Sequence, residues 1–224
     1  HIYEDFYENG QVVLSTLKDE EGNVEHRTEY EYHANGEKKK ETRYDHLGRL
    51  KGWKTYDENG DPLAYADYSD WRGDDAFESY EEGTYYLDED GFHRQRPSLY
   101  LEFDEQGEVS IRGVYTYYDN GELKEYCETD ANGVIVDWES YDEQGIPQRY
   151  LYRQDWNDDG YYDYYEEGFF VWDEQYEDYE KVATLEQTLN HSGTPSAKTE
   201  YEYHENGKRK SKKIYDHRGD LKEW

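Results

Sequence analysis

The sequence has no methionine, a single cysteine and few aliphatic residues, and each shortage removes a class of explanation. Cys127 on its own cannot build an internal disulfide framework, so no covalent staple holds the fold. Long secreted repeat chains do without disulfides as well, so this shortage is compatible with either compartment. Only 33% of the 224 residues are hydrophobic, and 28 residues within that share are tyrosine, which is poor material for an ordinary oily core. No stretch approaches the run of about 20 apolar residues that a membrane helix needs, and no signal-peptide pattern opens the chain. We therefore expect no membrane insertion. A chain that starts at His1 and lacks methionine reads as a processed mature protein or as a fragment of a longer one.

Positive charge is also scarce. Against 56 acidic residues stand 25 lysines and arginines, a formal charge of −31. Such a balance excludes uniform nucleic-acid wrapping and binding to an anionic membrane, both of which need a positive surface. Cationic partners fit instead: metal ions, a basic protein, or a complementary patch on a second copy. The same composition describes disordered acidic tails, but an aromatic content of 18% argues for order. Catalytic signatures are missing too. There is no G-x-S-x-G, P-loop, dinucleotide fingerprint or zinc-ligand cluster, and paired carboxylates carry no signal where 56 of 224 residues are acids. The expectation is a protein that is not an enzyme.

What the chain does have is repetition. YEYHANGEKKKETRYDHLGRLKGW begins at Tyr30, YTYYDNGELKEYCETDANGVIVDW at Tyr115 and YEYHENGKRKSKKIYDHRGDLKEW at Tyr201, offsets of 85 and 86 residues. Gly22, Gly36, Gly48 and Gly60 recur as Gly107, Gly121, Gly133 and Gly145, and in part as Gly193, Gly207 and Gly219. Pro62 matches Pro147, and Asp70-Trp71 matches Asp155-Trp156. The units are thus a partial one at 1–29, whole ones at 30–114 and 115–200, and a partial one at 201–224.

A glycine every 12 to 14 residues, mostly in ENG, DNG, ANG or EQG, is the spacing of a strand plus a tight turn. Between turns the residues alternate. Tyr30 and Tyr32 fall on one face while Glu29, Glu31 and His33 fall on the other, which gives an aromatic row and a charged row. The fold expected is all-β: an elongated antiparallel hairpin meander with an 85-residue superperiod and little helix. The best helical stretch is Glu180 to Leu189. Cross-strand pairs of tyrosine, tryptophan and long charged stems would hold such a sheet, each contributing roughly 0.2–1 kcal/mol, with stability accumulating along the repeats. The basic runs at 37–40 and 208–213 follow acidic, tyrosine-rich strands and read as solvated strand faces rather than as a binding patch.

YDHLGRLKGW, YDENGDPLAY and YDHRGDLKEW resemble the YD repeats of Rhs-type and teneurin-type proteins, whereas FYENGQVV, YHANGEKKKE and YYDNGELKEY resemble bacterial MORN-variant repeats. Both resemblances imply arrays of β-hairpins. The first family builds large shells, and the second is associated with binding or neutralising partners. Neither supplies catalytic residues.

The sharpest local motif is DWNDDGYYDYYE. Asp155, Asn157, Asp159, Asp163 and Glu166 occupy loop positions 1, 3, 5, 9 and 12 of the calcium-loop pattern, with Gly160 at 6 and the Tyr161 carbonyl at 7. A hard cation needs converging oxygens, and the glycine permits the reversal. Aromatic strands flank the motif, so a Ca2+ loop between strands is expected, not paired helices. Acids are abundant here, however, and the equivalent stretch from Asp70 to Glu81 has Arg72 and Asp75 where the pattern wants Asn and Gly.

Weaker signals have plainer readings. Arg72-Gly73-Asp74 spells an adhesion tripeptide, which three residues produce by chance. His1 could chelate copper through its amine and ring, or be a tag remnant. His33 and His46 recur as His204 and His217, but the middle copy has Tyr118 and Ala131, so turn-flanking surface histidines are expected over a metal pair. Cys127 falls in a strand without a basic neighbour, which argues against a nucleophile. The function expected is a secreted or surface-exposed structural module that self-associates, as an oligomer or a filament, through open strand edges, with calcium screening its acidic loops. The alternatives are an antitoxin-like or immunity-like module, cytoplasmic in location, that neutralises a basic protein, and an aromatic groove for carbohydrate.

Overall fold

Period-two alternation broken by glycine turns leaves the backbone one economical solution, which is to pair each strand with the next. A computed structural model of the chain describes residues 2–88, 90–157, 159–204 and 208–224. His1, with its copper reading, and Gly207 of the glycine series lie outside the described residues. The chain divides into two units, residues 1–112 and 113–224.

In the first unit run β1 (Ile2–Glu8), β2 (Gln11–Lys18), β3 (Val24–Tyr32), β4 (Lys38–Asp45), β5 (Leu50–Tyr56), β6 (Pro62–Ser69), β7 (Ser79–Leu87) and β8 (His93–Phe103). β9 (Val109–Tyr117) leads into the second unit. There follow β10 (Leu123–Asp130), β11 (Ile135–Tyr141), β12 (Pro147–Gln154), β13 (Tyr164–Asp173), β14 (Asp178–Leu189), β15 (Pro195–Tyr203), β16 (Arg209–Asp216) and β17 (Leu221–Glu223). From β1 to β8 each strand is antiparallel to its sequence neighbour. The same holds from β10 to β17. The all-β antiparallel meander is as the sequence led us to expect, and the described residues contain no helix. The stretch from Glu180 to Leu189 is a correction: it lies within β14, paired to β13 on one side and β15 on the other. Two ladders of backbone hydrogen bonds outweigh a weak local helical preference.

One turn recurs. Between β11 and β12 the Asp142 N–H donates to the Ile146 carbonyl (2.9 Å) and Gly145 donates back to the Asp142 carbonyl (3.0 Å). Gly145 has a φ of 76°, a left-handed value that closes this three-residue loop and leaves a one-residue register shift beside it. Asp142 adds a second function, since its Oδ1 accepts the Gln144 and Ile146 N–H groups. Asp45, Asp57, Asp104, Asp130 and Asp216 make the same bonds in their turns. In the last of these, Lys222 and the turn N–H groups hold the Asp216 carboxyl down to about 2.

The core is minimal. Among the described residues only Tyr65, Ala66 and Tyr150 are buried apolar side chains. Tyr65 lies opposite Gly83 and Tyr150 opposite Gly168. At both glycines an added Cβ would collide with a backbone carbonyl, that of Arg96 or that of Val182. The two rings pack edge-on to Tyr85 and Phe170, with centroids 5.3 and 5.5 Å away.

Elsewhere the faces are mixed rather than sorted into aromatic and charged rows. Tyrosine hydroxyls donate to a glutamate two residues along the same strand at Tyr80–Glu82, Tyr100–Glu102, Tyr126–Glu128 and Tyr165–Glu167. The lysine runs are absorbed in the same way. Lys38 pairs with Glu41 at 2.9 Å beneath the Tyr30 ring, and Lys213 and Lys210 both pair with Glu202. In the second unit Lys181 on β14 reaches Glu139 on β11 at 2.9 Å, across three ladder spacings that would measure about 14 Å if flat. The sheet therefore curls there.

Candidate functional site

The longest loops at corresponding places join β6 to β7 and β12 to β13, and the second carries the expected calcium motif. Its backbone is pinned at Asp163, which donates to the Gln154 carbonyl and accepts from the Leu189 N–H. Asp155 Oδ2 accepts the Gly160 N–H at 2.7 Å, and Asp159 Oδ1 accepts the Tyr161 N–H at 3.0 Å. Asn157 Oδ1 accepts from the Asp159 N–H, and its Nδ2 donates to Asp163. Asp163 Oδ2 also accepts the Trp156 N–H at 3.0 Å. The loop thus gathers Asp155, Asn157, Asp159 and Asp163, with Tyr161 on its rim.

Glu166 is placed differently. It belongs to β13, where Oε1 accepts the buried Tyr150 hydroxyl at 2.6 Å and Oε2 accepts the Tyr164 hydroxyl. Burial, and then this carboxylate, push both phenols well above their ordinary range. The first unit repeats the arrangement, with Tyr65 donating to Glu81 at 2.6 Å. This glutamate serves the tyrosine-over-glycine packing in both copies.

The first-unit loop folds alike with different side chains. Asp70 Oδ1 accepts the Gly73 N–H and Oδ2 the Asp75 N–H, while Asp74 Oδ1 accepts from Ala76. Asp75 holds a φ of 65° where the second loop has Gly160 at 84°. Glu78, the counterpart of Asp163, donates its N–H to the Ser69 carbonyl and accepts the Phe103 N–H. Its Oε2 accepts the Trp71 N–H at 2.7 Å. Among the described residues, Asp70, Asp74 and Glu78 form the group of three acids whose carboxylate oxygens come within 4.8 Å of one another. Sequence reading passed over them because the Asn and Gly of the motif are missing. The signal was the retained acid at loop positions 1, 5 and 9 of both copies.

A cavity of about 300 Å3 adjoins this loop in the first unit, bounded by His26, Arg43, Tyr44, Arg49, Asp70 and Phe77. The Arg72-Gly73-Asp74 tripeptide lies inside the loop, its arginine Nε 3.7 Å from Glu78 Oε1. The recurring histidines have structural work. His33 Nε2 bonds the Tyr56 carbonyl at 2.9 Å, and Tyr118 does the same in the second unit, donating to the Tyr141 carbonyl at 2.8 Å. His46 stands 3.6 Å from Asp75, and His217 accepts from Arg218. Cys127 is half-buried in β10 opposite Trp138.

The fold is that of a sequential β-hairpin repeat protein. No family model matches the chain, those of the YD and MORN-variant families included, and no curated protein matches it. Solved structures do match. The TcdB2-TccC3 crystal structure is 11% identical over 98% of this chain, with a TM-score of 0.20. A porin-like protein from Bacteroides uniformis is 10% identical over 95% of this chain and 92% of its own, with a TM-score of 0.21. A DUF3836 family protein from Parabacteroides distasonis is 12% identical over 57% of this chain and 89% of its own, with a TM-score of 0.18. The chain spans 14% of the TcdB2-TccC3 length.

Proposed function

We propose that the chain is a non-enzymatic structural or assembly module, working outside the cell or at its surface and associating with further copies of itself. The observation that carries this reading is the pairing of each strand with the next in sequence within both units, most of them joined by the same glycine turn. Such an array builds length and surface, and its stability is a sum of local terms. Each unit also offers an exposed tryptophan at the same loop position, Trp71 at 61% and Trp156 at 58%, set among acids. Aromatic groups of this kind are anchors for association.

A formal charge of −31 repels like copies, so association needs a counter-ion. Calcium at the acidic loops, including the one from Asp155 to Asp163, fills that role in this reading. Sedimentation velocity and electron microscopy at high protein concentration, with calcium and with chelator, test it. Calcium-dependent oligomers or filaments are expected. A strictly monomeric species in both conditions would remove the assembly role. The rival, an acidic module that neutralises a basic protein, predicts a monomer that forms a defined complex only when the cationic partner is added.

A further inference from the structure

We infer that the β6–β7 loop is a divalent cation site formed by Asp70, Asp74 and Glu78, suited to calcium. Three oxygens no more than 4.8 Å apart can share a centre within about 2.8 Å of each, a span that takes in the calcium–oxygen bond length. Three carboxylates and no nitrogen or sulfur ligand suit a hard cation. Water completes the shell on the side where Asp74 is exposed.

A second observation points to a ligand independently. Glu78 is only 4% exposed, and its Oε1 is buried with no hydrogen-bond partner. A buried carboxylate oxygen left unbonded is costly unless a positive charge satisfies it. The nearest one, Arg72 Nε at 3.7 Å, lies beyond hydrogen-bond reach on a side chain 55% exposed. That arginine is an exposed counter-charge that a cation displaces. Each of the Asp70 and Asp74 oxygens bonded to a loop N–H keeps a further lone pair for the metal.

The second loop explains the assignment by contrast. There Asp163 is shorter than Glu78, and its Oδ2 takes both the Trp156 N–H and the Asn157 amide. Asp159 Oδ2 is paired with His191 Nδ1 at 3.0 Å. The first unit has Glu105 at the position of His191, an acid in place of a base. The first loop therefore has stronger need of a cation, although the second carries the better consensus.

Calorimetric titration of calcium chloride into the chelator-treated full chain tests the site, at a concentration where the chain sediments as one species, so that binding is read apart from assembly. Wild type is expected to release or absorb heat and to melt at a higher temperature with calcium. Asp74→Asn and Glu78→Gln should each weaken the affinity roughly tenfold or more, since carboxylate count sets it. The double variant Asp155→Asn/Asp159→Asn should keep the wild-type affinity at this site. Should Glu78→Gln unfold by circular dichroism, Asp74→Asn, at an exposed position, decides. No heat with no thermal shift, or wild-type affinity in Asp74→Asn, would overturn the assignment.

Discussion

The stretches from Tyr65 to Tyr85 and from Tyr150 to Phe170 occupy the same place in the two units, and they differ in an instructive way. Packing residues keep their roles: Tyr65 and Tyr150, Gly83 and Gly168, Glu81 and Glu166 make the same contacts. Loop residues exchange theirs. Arg72 becomes Asn157, Asp75 becomes Gly160, Phe77 becomes Tyr162 and Glu78 becomes Asp163, yet the backbone bonds to Ser69 or Gln154 persist. A tyrosine lying over a glycine, tied to a glutamate on the next strand, fixes the frame. The loop it supports is then free to change its charge.

The sharpest way to break this comparison is at the glycines. Gly83→Ala and Gly168→Ala each place a methyl group against a backbone carbonyl, and at Gly168 also against the Tyr150 ring. Carbonyls held in a ladder cannot yield as a flexible side chain does. Each substitution is expected to cost about 3 kcal/mol or more, in the range of backbone clash and overpacking. Urea unfolding followed by circular dichroism measures it. Equal losses would support one shared frame, whereas a tolerated alanine in either copy would show that the two tyrosines do different work.

These glycines also mark how far the sequence could be read. The meander was legible because turn chemistry is local: Gly145 and its equivalents announce each hairpin on their own. Glu166 was assigned to the loop because spacing along the chain matched a motif. Whether its oxygens face the loop or Tyr150 depends on the β12–β13 register, which no local pattern specifies. Asp70, Asp74 and Glu78 were hidden for the converse reason. Their convergence is produced by pairings of Glu78 with Ser69 and Phe103, residues 9 and 25 positions away. The separate aromatic and charged rows also failed in part, because a phenol gains more from a carboxylate on its own face than from segregation.

A smaller difference between the copies should show in alkali. In the second unit Tyr164 bonds Glu166 and Tyr162 bonds Asp130, and burial first, then the carboxylate, raise both phenols. The first unit has Ser79 and Phe77 at those positions. A third phenol is matched in both copies, since burial and then a glutamate raise Tyr80 beside Glu82 and Tyr165 beside Glu167, Tyr165 to about 12 from an ordinary 10.0. The difference between the copies thus lies in Tyr162 and Tyr164. A raised phenol pKa means the fold favours the neutral form. That contribution is complete below pH 10.0 and is lost as the pH climbs through the folded value near 12. Strands β12 and β13 should therefore lose amide protection before β6 and β7 over this window, as read by hydrogen exchange of the intact chain. Simultaneous loss, or earlier loss of β6 and β7, would contradict the assignment of these hydroxyl–carboxylate pairs.

The smallest expected effect tests whether the units can trade parts. His33 and Tyr118 stand at the first position of the same turn, and both use a ring to reach a carbonyl on the strand after next, Tyr56 or Tyr141. Asn35 and Asn120 back them up, donating to the Glu58 and Glu143 carbonyls. The turn therefore needs a long planar side chain with a polar tip, not an imidazole. His33→Tyr should leave stability within about 0.5 kcal/mol of wild type, while His33→Ala, which orphans the Tyr56 carbonyl, should cost about 1 kcal/mol. If His33→Tyr costs as much as His33→Ala, the imidazole has a role that tyrosine cannot fill, and a metal-pair reading of His33 with His46 regains its force.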